Sequence, residues 1–429
     1  RGEETGKTVF LSSSMFSIVG ILIYIGVALF VSFESDAELG ILLFAAILVP
    51  MIFLNDSLTS IALGSKPQVI SYGFLSFEVS KILLAFIFVY FMQMGLEGAI
   101  LATFGAYIPS IFIMGIKVRH RLQNSIQKEY VKKWIKLFWL PSFRNIPSLI
   151  SMSDVIVFSA ITGSVSGVAY YTAARTIGFL VNHTRSFSNA LYPKLLETGK
   201  QDFLGENLIK LFYFSFPLLG LSIVLAKPGL FALNPIYEIA EPIVIILSIR
   251  AFLTTFGKIL FQALQGIEKV DINKNATFRD YISSKLILYP TFQLIRNVIY
   301  FASLAVILFL LHSEKAEIEL VVYWAMTGLI IEIPLTLYIY RLVKKNFTLN
   351  IDVKSLIKYL FSTFVVFSLL YVMITMFLEY NESIFIFLPQ VIGYAIISVI
   401  GYVGLTYVID NRTQILIKAI ISEIKPKRK

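Results

Sequence analysis

Long apolar runs separated by short polar loops dominate this chain. About 20 consecutive apolar residues cross a bilayer as one helix, and twelve runs have roughly that length. The pattern predicts an all-α, polytopic integral membrane protein with twelve visible transmembrane helices. The predicted spans are residues 9–33, 39–63, 69–92, 96–116, 138–161, 165–191, 209–225, 242–264, 286–311, 320–342, 356–377 and 384–408.

The composition supports a chain that is solvated by lipid. Of its 429 residues, 57% are hydrophobic and only 15% are charged, and the mean hydropathy is +0.78. Soluble domains carry about a quarter charged residues, so a water-soluble globule is excluded. The chain has no cysteine, and its three histidines lie far apart in sequence. We therefore expect no cofactor, no metal site and no thiol chemistry.

The basic residues predict the orientation of the spans. With the chain start in the cytoplasm, 28 of the 37 Lys and Arg residues fall on the inner side, two fall outside and seven fall within spans. Such a bias is the positive-inside signal of the cytoplasmic membrane, and it places both ends of the chain in the cytoplasm. The net charge of +10 is thereby explained without a nucleic-acid partner.

The longest basic loop runs from Lys117 to Lys136. Within it Ile126, Tyr130 and Trp134 recur every four residues among lysines, which predicts an amphipathic helix lying on anionic lipid headgroups. A passive linker between two helical bundles fits the same residues equally well.

This loop suggests a division of the chain into lobes. We expect an N-terminal lobe with four spans, a basic connection, a C-terminal lobe with six spans, two additional spans and a basic cytoplasmic tail. The corresponding residues are 1–116, 117–136, 137–342, 343–409 and 410–429.

Eleven charged residues lie within the predicted spans, and they are the candidate functional residues. An ionised group at the bilayer centre is costly and usually faces a cavity or a partner. Seven of these residues are cations and four are acids, which favours an anionic substrate. The candidate substrate-binding cations are Arg175, Arg250, Arg144 and Arg185, and the candidate coupling or paired acids are Asp154, Asp56 and Glu332. Arg144, Arg185, Lys258 and Arg296 lie toward the cytoplasmic ends of their spans, where snorkelling to the headgroups also explains them.

Arg175 is too deep in its span to reach either headgroup layer, and Asp154 is similarly central in the preceding span. One interpretation is that the two side chains neutralise each other across antiparallel helices. The other is that Arg175 lines a water-filled cavity and binds phosphate, for which its planar, permanently charged fork is suited. The excess of cations favours the second interpretation.

Residues 153–195 resemble the seventh and eighth helices of the polysaccharide exporters (Wzx-like) in the flippase superfamily that also contains MATE exporters and lipid II flippases. The matching features are Asp154 in an apolar run, a turn from Gly163 to Gly167, Tyr170 to Arg175, and Pro193 with Lys194. Residues 237–266 are similar to a second stretch of the family.

The resemblance implies a fourteen-helix fold whose first two helices are missing here, in agreement with the non-Met start. It also implies flipping of a lipid-linked, phosphate- or pyrophosphate-bearing oligosaccharide by alternating access, with Arg175 at the position of a cavity arginine. Nothing in the sequence marks an oligomer interface.

Two other functions are alternatives to this one. A MATE-type cation or drug antiporter would use Asp56, Asp154 or Glu332 as a proton-exchanging carboxylate. A membrane enzyme would need clustered catalytic carboxylates at an aqueous face, and no such group is found. The chain is therefore expected not to be an enzyme.

Overall fold

The computed structural model describes residues 5–34, 38–188, 195, 202–268, 270, 277–347, 349 and 352–424. Throughout these ranges the regular structure is helical. The α-helices, numbered in chain order, are α1 (Gly6–Glu34), α2 (Leu39–Ala45), α3 (Leu48–Ser65), α4 (Gln68–Ala85), α5 (Gly95–Val118), α6 (Lys128–Lys136), α7 (Trp139–Ser151), α8 (Asp154–Thr162), α9 (Val165–Gly178), α10 (Asp202–Val224), α11 (Ala226–Leu233), α12 (Glu241–Gly266), α13 (Phe278–Ile282), α14 (Lys285–Leu311), α15 (Glu317–Asn346), α16 (Val353–Phe377), α17 (Ile384–Ile409) and α18 (Asn411–Ile424). A π-helix (Phe86–Phe91) extends α4, and 3-10 helices cover Arg119–Leu122, Phe179–Ser188 and Pro235–Ala240.

Within the described residues, eleven helical segments are long and apolar enough to cross a membrane. They coincide with eleven of the twelve predicted runs, so the predicted all-α polytopic membrane fold is confirmed. The sixth run, residues 165–191, consists of α9 followed by a 3-10 helix, and its last three residues lie outside the described ranges.

Two predicted spans are interrupted by turns. The turn between α2 and α3 lies at residues 46–47. Pro50 has no N–H to donate to the carbonyl of Ala46, which accounts for this break. The second turn, at Met152 and Ser153, places Asp154 at the first position of α8.

A tight connection joins α8 to α9. Gly163 ends α8 with φ +66°, a left-handed conformation that costs glycine little. Ser164 then caps α9 by accepting a 2.9 Å hydrogen bond from the N–H of Gly167. The two helices that carry Asp154 and Arg175 therefore form a short helical hairpin.

Compared with a water-soluble protein, this chain exposes many large apolar side chains and also buries charged groups. Large apolar side chains such as Phe16, Leu22 and Phe364 are exposed, whereas Asp154, Asn297 and Glu332 are buried. Exposed apolar surface of this extent is what lipid requires, and the buried polar groups must then find partners within the protein.

The chain forms two compact units, Arg1–Pro141 and Ser142–Lys429. In the first unit α4 packs along α5, and α3 packs against α1 and α5. Its core contains Leu58, Ala62 and Met114. The lysine-rich α6 follows, and the N–H of Gln127 at its start donates a 3.0 Å hydrogen bond to Thr8 Oγ1 on α1.

In the second unit α12 packs against α9 and α15, and α14 packs against α8 and α15. Trp324 of α15 is fully buried at the centre of the largest apolar cluster of the described residues. A second cluster, with Leu260 and Val343, surrounds the other end of α12. These five central helices position the site described next.

Candidate functional site

A cavity of about 140 Å³ lies within the second unit. Its walls come from α7, α8, α9, α12, α14 and the 3-10 helix that follows α9. Among the described side chains, five charged ones line it: Asp154, Arg175, Arg250, Lys258 and Arg296. Four of the five are cations, so this cavity is an electropositive site inside the membrane-spanning region.

Asp154 is held at the cavity wall by hydrogen bonds from two residues distant in sequence and from the neighbouring backbone N–H. Its Oδ2 accepts a 3.0 Å bond from Tyr300 Oη and a 3.3 Å bond from Trp324 Nε1, and its Oδ1 accepts a 3.0 Å bond from the N–H of Val155. Trp324 Nε1 also lies 2.8 Å from Tyr300 Oη. With 3% exposure, the carboxylate is thus fixed and partnered by neutral donors.

An aromatic stack sets the position of Tyr171. Its ring lies parallel to that of Trp324, with centroids 3.7 Å apart, and Phe158 stacks on Trp324 with a centroid distance of 4.6 Å. Tyr171 Oη then lies 3.4 Å from Arg250 Nη1. The apolar core therefore determines where this hydroxyl meets the guanidinium.

Arg250 is clamped between an aromatic ring and a glycine. Its guanidinium carbon lies 5.2 Å from the ring centroid of Tyr300, a cation–π distance. A Cβ on Gly328 of α15 would overlap the guanidinium in this position, so an alanine there would displace the Arg250 side chain. Arg250 is thus presented to the cavity in a fixed geometry.

Arg296 lines the cavity and is paired with a buried carboxylate. Its Nη1 lies 2.6 Å from Glu332 Oε2, and its Nε and Nη2 donate to Asn297 Oδ1 at 3.2 and 2.7 Å. Asn297 in turn donates a 2.6 Å hydrogen bond to the carbonyl of Pro147. Simple snorkelling does not describe Arg296, because its charge is satisfied within the protein.

Arg175 is half-buried in the cavity wall, with its guanidinium carbon 5.0 Å from the ring centroid of Phe179. Among the described residues, no carboxylate forms an ion pair with Arg175. Asp154 therefore accepts hydrogen bonds from Tyr300 and Trp324 rather than forming an ion pair with Arg175.

The other candidates from the sequence have separate locations. Glu332 is the buried partner of Arg296. Asp56 belongs to the first unit, where it lies exposed on α3. The side chains of Arg144 and Arg185 lie outside the described residues, although both backbones are helical. Their role in substrate binding stays a prediction.

Several residues of the site were not recognised from the sequence. Tyr171 and Arg175 are four residues apart on α9, and Arg250, Thr254 and Lys258 recur every four residues on α12. Both patterns put polar groups on one helix face, so the four-residue spacing in the sequence could have identified these residues. Tyr300 and Trp324 gave no such signal, because each stands in an apolar run.

The described residues contain no group of three or more His, Asp or Glu side chains that could hold a metal ion. Chemistry at this site rests on its guanidinium, ammonium, carboxylate and hydroxyl groups. Arg175 and Arg250 form no ion pair with a described carboxylate, and such guanidinium groups suit the binding of a polyanionic group.

Comparison with known proteins gives structural neighbours. No protein-family model matches the chain, and no curated protein matches it in sequence. The lipid II flippase MurJ in an inward closed conformation is similar in structure: the TM-score is 0.56 at 16% identity, over 95% of this chain and 85% of that chain.

Two further transporters are similar. A mutant of the Vibrio cholerae MATE transporter VcmN has a TM-score of 0.60 at 14% identity, over 79% of each chain. A MOP-superfamily transporter from Pyrococcus furiosus has a TM-score of 0.56 at 15% identity over 79% of each chain, and the reverse polarity of its binding pocket is said to suggest a different function. At these identities the likeness establishes the fold. The chain is a multi-pass membrane protein with the fold of MOP-superfamily transporters.

Proposed function

We propose that this protein flips a lipid-linked oligosaccharide across the cytoplasmic membrane by alternating access, holding the substrate by its phosphate or diphosphate. Such a flippase would serve the synthesis of cell-surface polysaccharide or glycan. The observation that supports this proposal is the cationic cavity of the second unit, lined by Arg175, Arg250, Lys258 and Arg296 against a single acid, Asp154.

The charge balance argues for an anionic ligand. Each cation in a membrane-spanning segment costs roughly 2.5–3.5 kcal/mol on insertion scales. Glu332 balances Arg296, and Asp154 accepts hydrogen bonds from neutral groups. Arg175 and Arg250 form no ion pair with a carboxylate of the described residues, and their charge is compensated best when a phosphate group enters the cavity. Arg175 and Arg250 lie on neighbouring helices that pack together, and planar guanidinium groups bind phosphate oxygens two at a time.

A MATE-type cation antiporter is the second candidate. It is favoured by the buried carboxylate of Asp154 in the cavity wall and by the shared fold with VcmN. In that case Asp154 would exchange protons as the substrate binds. The excess of cations around it would repel a cationic drug, and for this reason we place the flippase first.

Reconstitution of the purified chain in proteoliposomes tests the proposal. A fluorescent lipid-diphosphate oligosaccharide is placed in both leaflets, and its movement is followed by quenching from outside. Wild-type protein should move the lipid, whereas Arg175→Gln and Arg250→Gln should each slow movement at least about tenfold, the loss expected for one charge-assisted contact.

Arg341→Gln is the matched control, because Arg341 is an exposed arginine near the end of α15 and does not line the cavity. It should leave the flipping rate unchanged. Wild-type protein that moves no lipid diphosphate but exports cationic dyes in exchange for protons would replace the flippase with the antiporter.

We also propose that α6 lies on anionic headgroups, with the chain start and the C-terminus on the cytoplasmic side. The helix carries Lys128, Lys132, Lys133 and Lys136, and Tyr130 and Trp134 lie next to each other with centroids 6.2 Å apart. Replacing the four lysines with glutamine should remove a preference for anionic over zwitterionic liposomes. Unchanged preference would favour the passive linker.

A further inference from the structure

A second cavity, of about 200 Å³, adjoins the cationic one. Ser148, Lys258 and Gln293 line both cavities. The second cavity differs in chemistry, because its remaining polar side chains are amides and a phenol: Asn145, Gln262, Gln265 and Tyr289. We call it the amide pocket. Amides both donate and accept hydrogen bonds without charge, which is the chemistry that matches hydroxyl groups.

Two of these amides each have one buried atom without a hydrogen-bond partner among the described residues. Gln265 is 5% exposed and its Nε2 makes no hydrogen bond, and Gln262 Oε1 is likewise buried without one. A buried donor or acceptor left unpaired costs about 1–3 kcal/mol. Both atoms belong to the C-terminal end of α12, where Gln262 and Gln265 follow Lys258 by four and seven residues. One donor and one acceptor therefore stand ready for a ligand.

An aromatic surface completes the pocket. Tyr289 and Phe261 stack with their ring centroids 4.3 Å apart, and both line the pocket. Sugar rings have hydroxyl edges, which suit amides, and apolar faces of C–H groups, which pack on aromatic rings. A pocket of this size exceeds the volume of one water molecule several times over.

We infer that the amide pocket is a subsite for a neutral sugar residue, which it holds next to the phosphate group in the cationic cavity. This inference rests on the proposed function and deepens it. Lys258, which lines both cavities, would mark the junction between phosphate and first sugar. Recognition of the sugar would then come from Gln262, Gln265 and Gln293, and recognition of the lipid phosphate from the arginines.

The inference is tested by comparing the affinities of the detergent-solubilised full chain for two lipid probes. The probes are a lipid diphosphate that carries a neutral disaccharide and the same lipid diphosphate without sugar. Wild-type protein should bind the glycosylated probe more tightly. Gln265→Leu and Gln262→Leu should each weaken that binding roughly three- to tenfold, the loss of about one hydrogen bond, and leave the sugar-free probe unaffected.

The sugar-free probe also reports whether each variant has folded. Gln68→Leu, at an exposed glutamine that begins α4, is the matched control and should bind both probes as wild type does. Equal wild-type affinity for the two probes, or equal losses for both in the glutamine variants, would overturn the sugar subsite and leave the flippase proposal standing. Failure of wild type to bind either probe would overturn both, since the phosphate site is the premise of the subsite.

Discussion

Removing Arg296 from its buried ion pair with Glu332 should lower stability more than removing Glu332. Glu332 is 2% exposed and does not line the cavity, and Arg296 is its ion-pair partner within the described part of the chain. Arg296 lines the cavity and keeps its two hydrogen bonds to Asn297 when Glu332 is removed. Loss of the arginine therefore leaves a buried carboxylate without its ion-pair partner. Loss of the glutamate leaves a cation that still donates hydrogen bonds to Asn297.

The expected magnitudes follow from this difference. Arg296→Met should lower the free energy of unfolding by about 3–5 kcal/mol, the cost of an uncompensated buried charge. Glu332→Met should lower it by about 1.5–3 kcal/mol, the value of a hydrogen bond to a charged group. The double variant should lose less than the sum of the two, with a coupling energy of at least about 1.5 kcal/mol.

Unfolding free energies of the four proteins in mixed micelles provide the measurement. The exposed pair Lys315 and Glu319, 3.5 Å apart on the same helix α15, is the control. Its coupling energy should stay at or below about 0.5 kcal/mol. Additive losses at Arg296 and Glu332, or a larger loss from Glu332→Met than from Arg296→Met, would refute the reasoning from burial and cavity access.

Three other predictions follow from the contacts described above. Gly328→Ala should displace the Arg250 guanidinium from Tyr300 and slow flipping about as much as Arg250→Gln, whereas Gly393→Ala, whose Cβ would meet open space, should have no effect on flipping. Asp154→Asn should lower the free energy of unfolding by about 1–3 kcal/mol, because one of Tyr300, Trp324 or the Val155 N–H then faces an amide donor. Proteoliposome assays of this variant should still show lipid movement. Complete loss of movement in a folded variant would favour the proton-exchanging antiporter. Burial opposes ionisation of Asp410, yet hydrogen bonds from Tyr359, Ser355 and the Thr413 N–H hold its pKa below the usual value. Its ionised form therefore stabilises the fold fully above the ordinary Asp pKa of about 3.9 and ceases to do so as the pH falls through the lowered value. The difference in melting temperature between wild type and Asp410→Asn should accordingly be present at pH 7 and shrink below about pH 4, and a difference that grows on acidification would contradict the assignment.

The membrane class and the positions of the spans were predictable from the sequence alone. Hydrophobicity over about 20 residues is a local property, and in lipid it is enough to specify a helix because the backbone must bond within itself. The turns that interrupt two of the spans were harder to predict from the sequence. Pro50 is visible in the sequence and breaks its helix, whereas Pro109 lies inside the continuous α5. Whether a neighbouring helix accommodates a proline depends on packing.

Parts of the site were also visible in the sequence. Asp154, Arg175 and Arg250 stood out because charge in an apolar run is costly, and the structure brings all three to one cavity. The sequence left open whether Arg175 pairs with Asp154 or lines a cavity, and in the structure Asp154 accepts hydrogen bonds from Tyr300 and Trp324. A tyrosine or tryptophan in an apolar run looks the same whether it faces lipid or a carboxylate, so these partners carried no signal.

The remaining contacts are decided by tertiary structure alone. Arg296 meets Glu332 across 36 residues, Tyr300 meets Asp154 across 146, and Trp324 meets Asp154 across 170. Sequence periodicity fixes which residues share a face of one helix, and it contains no information about the face of the next helix that they meet. That choice depends on the packing of α8, α9, α12, α14 and α15 around Trp324, where shape complementarity among buried side chains sets the rotation of each helix.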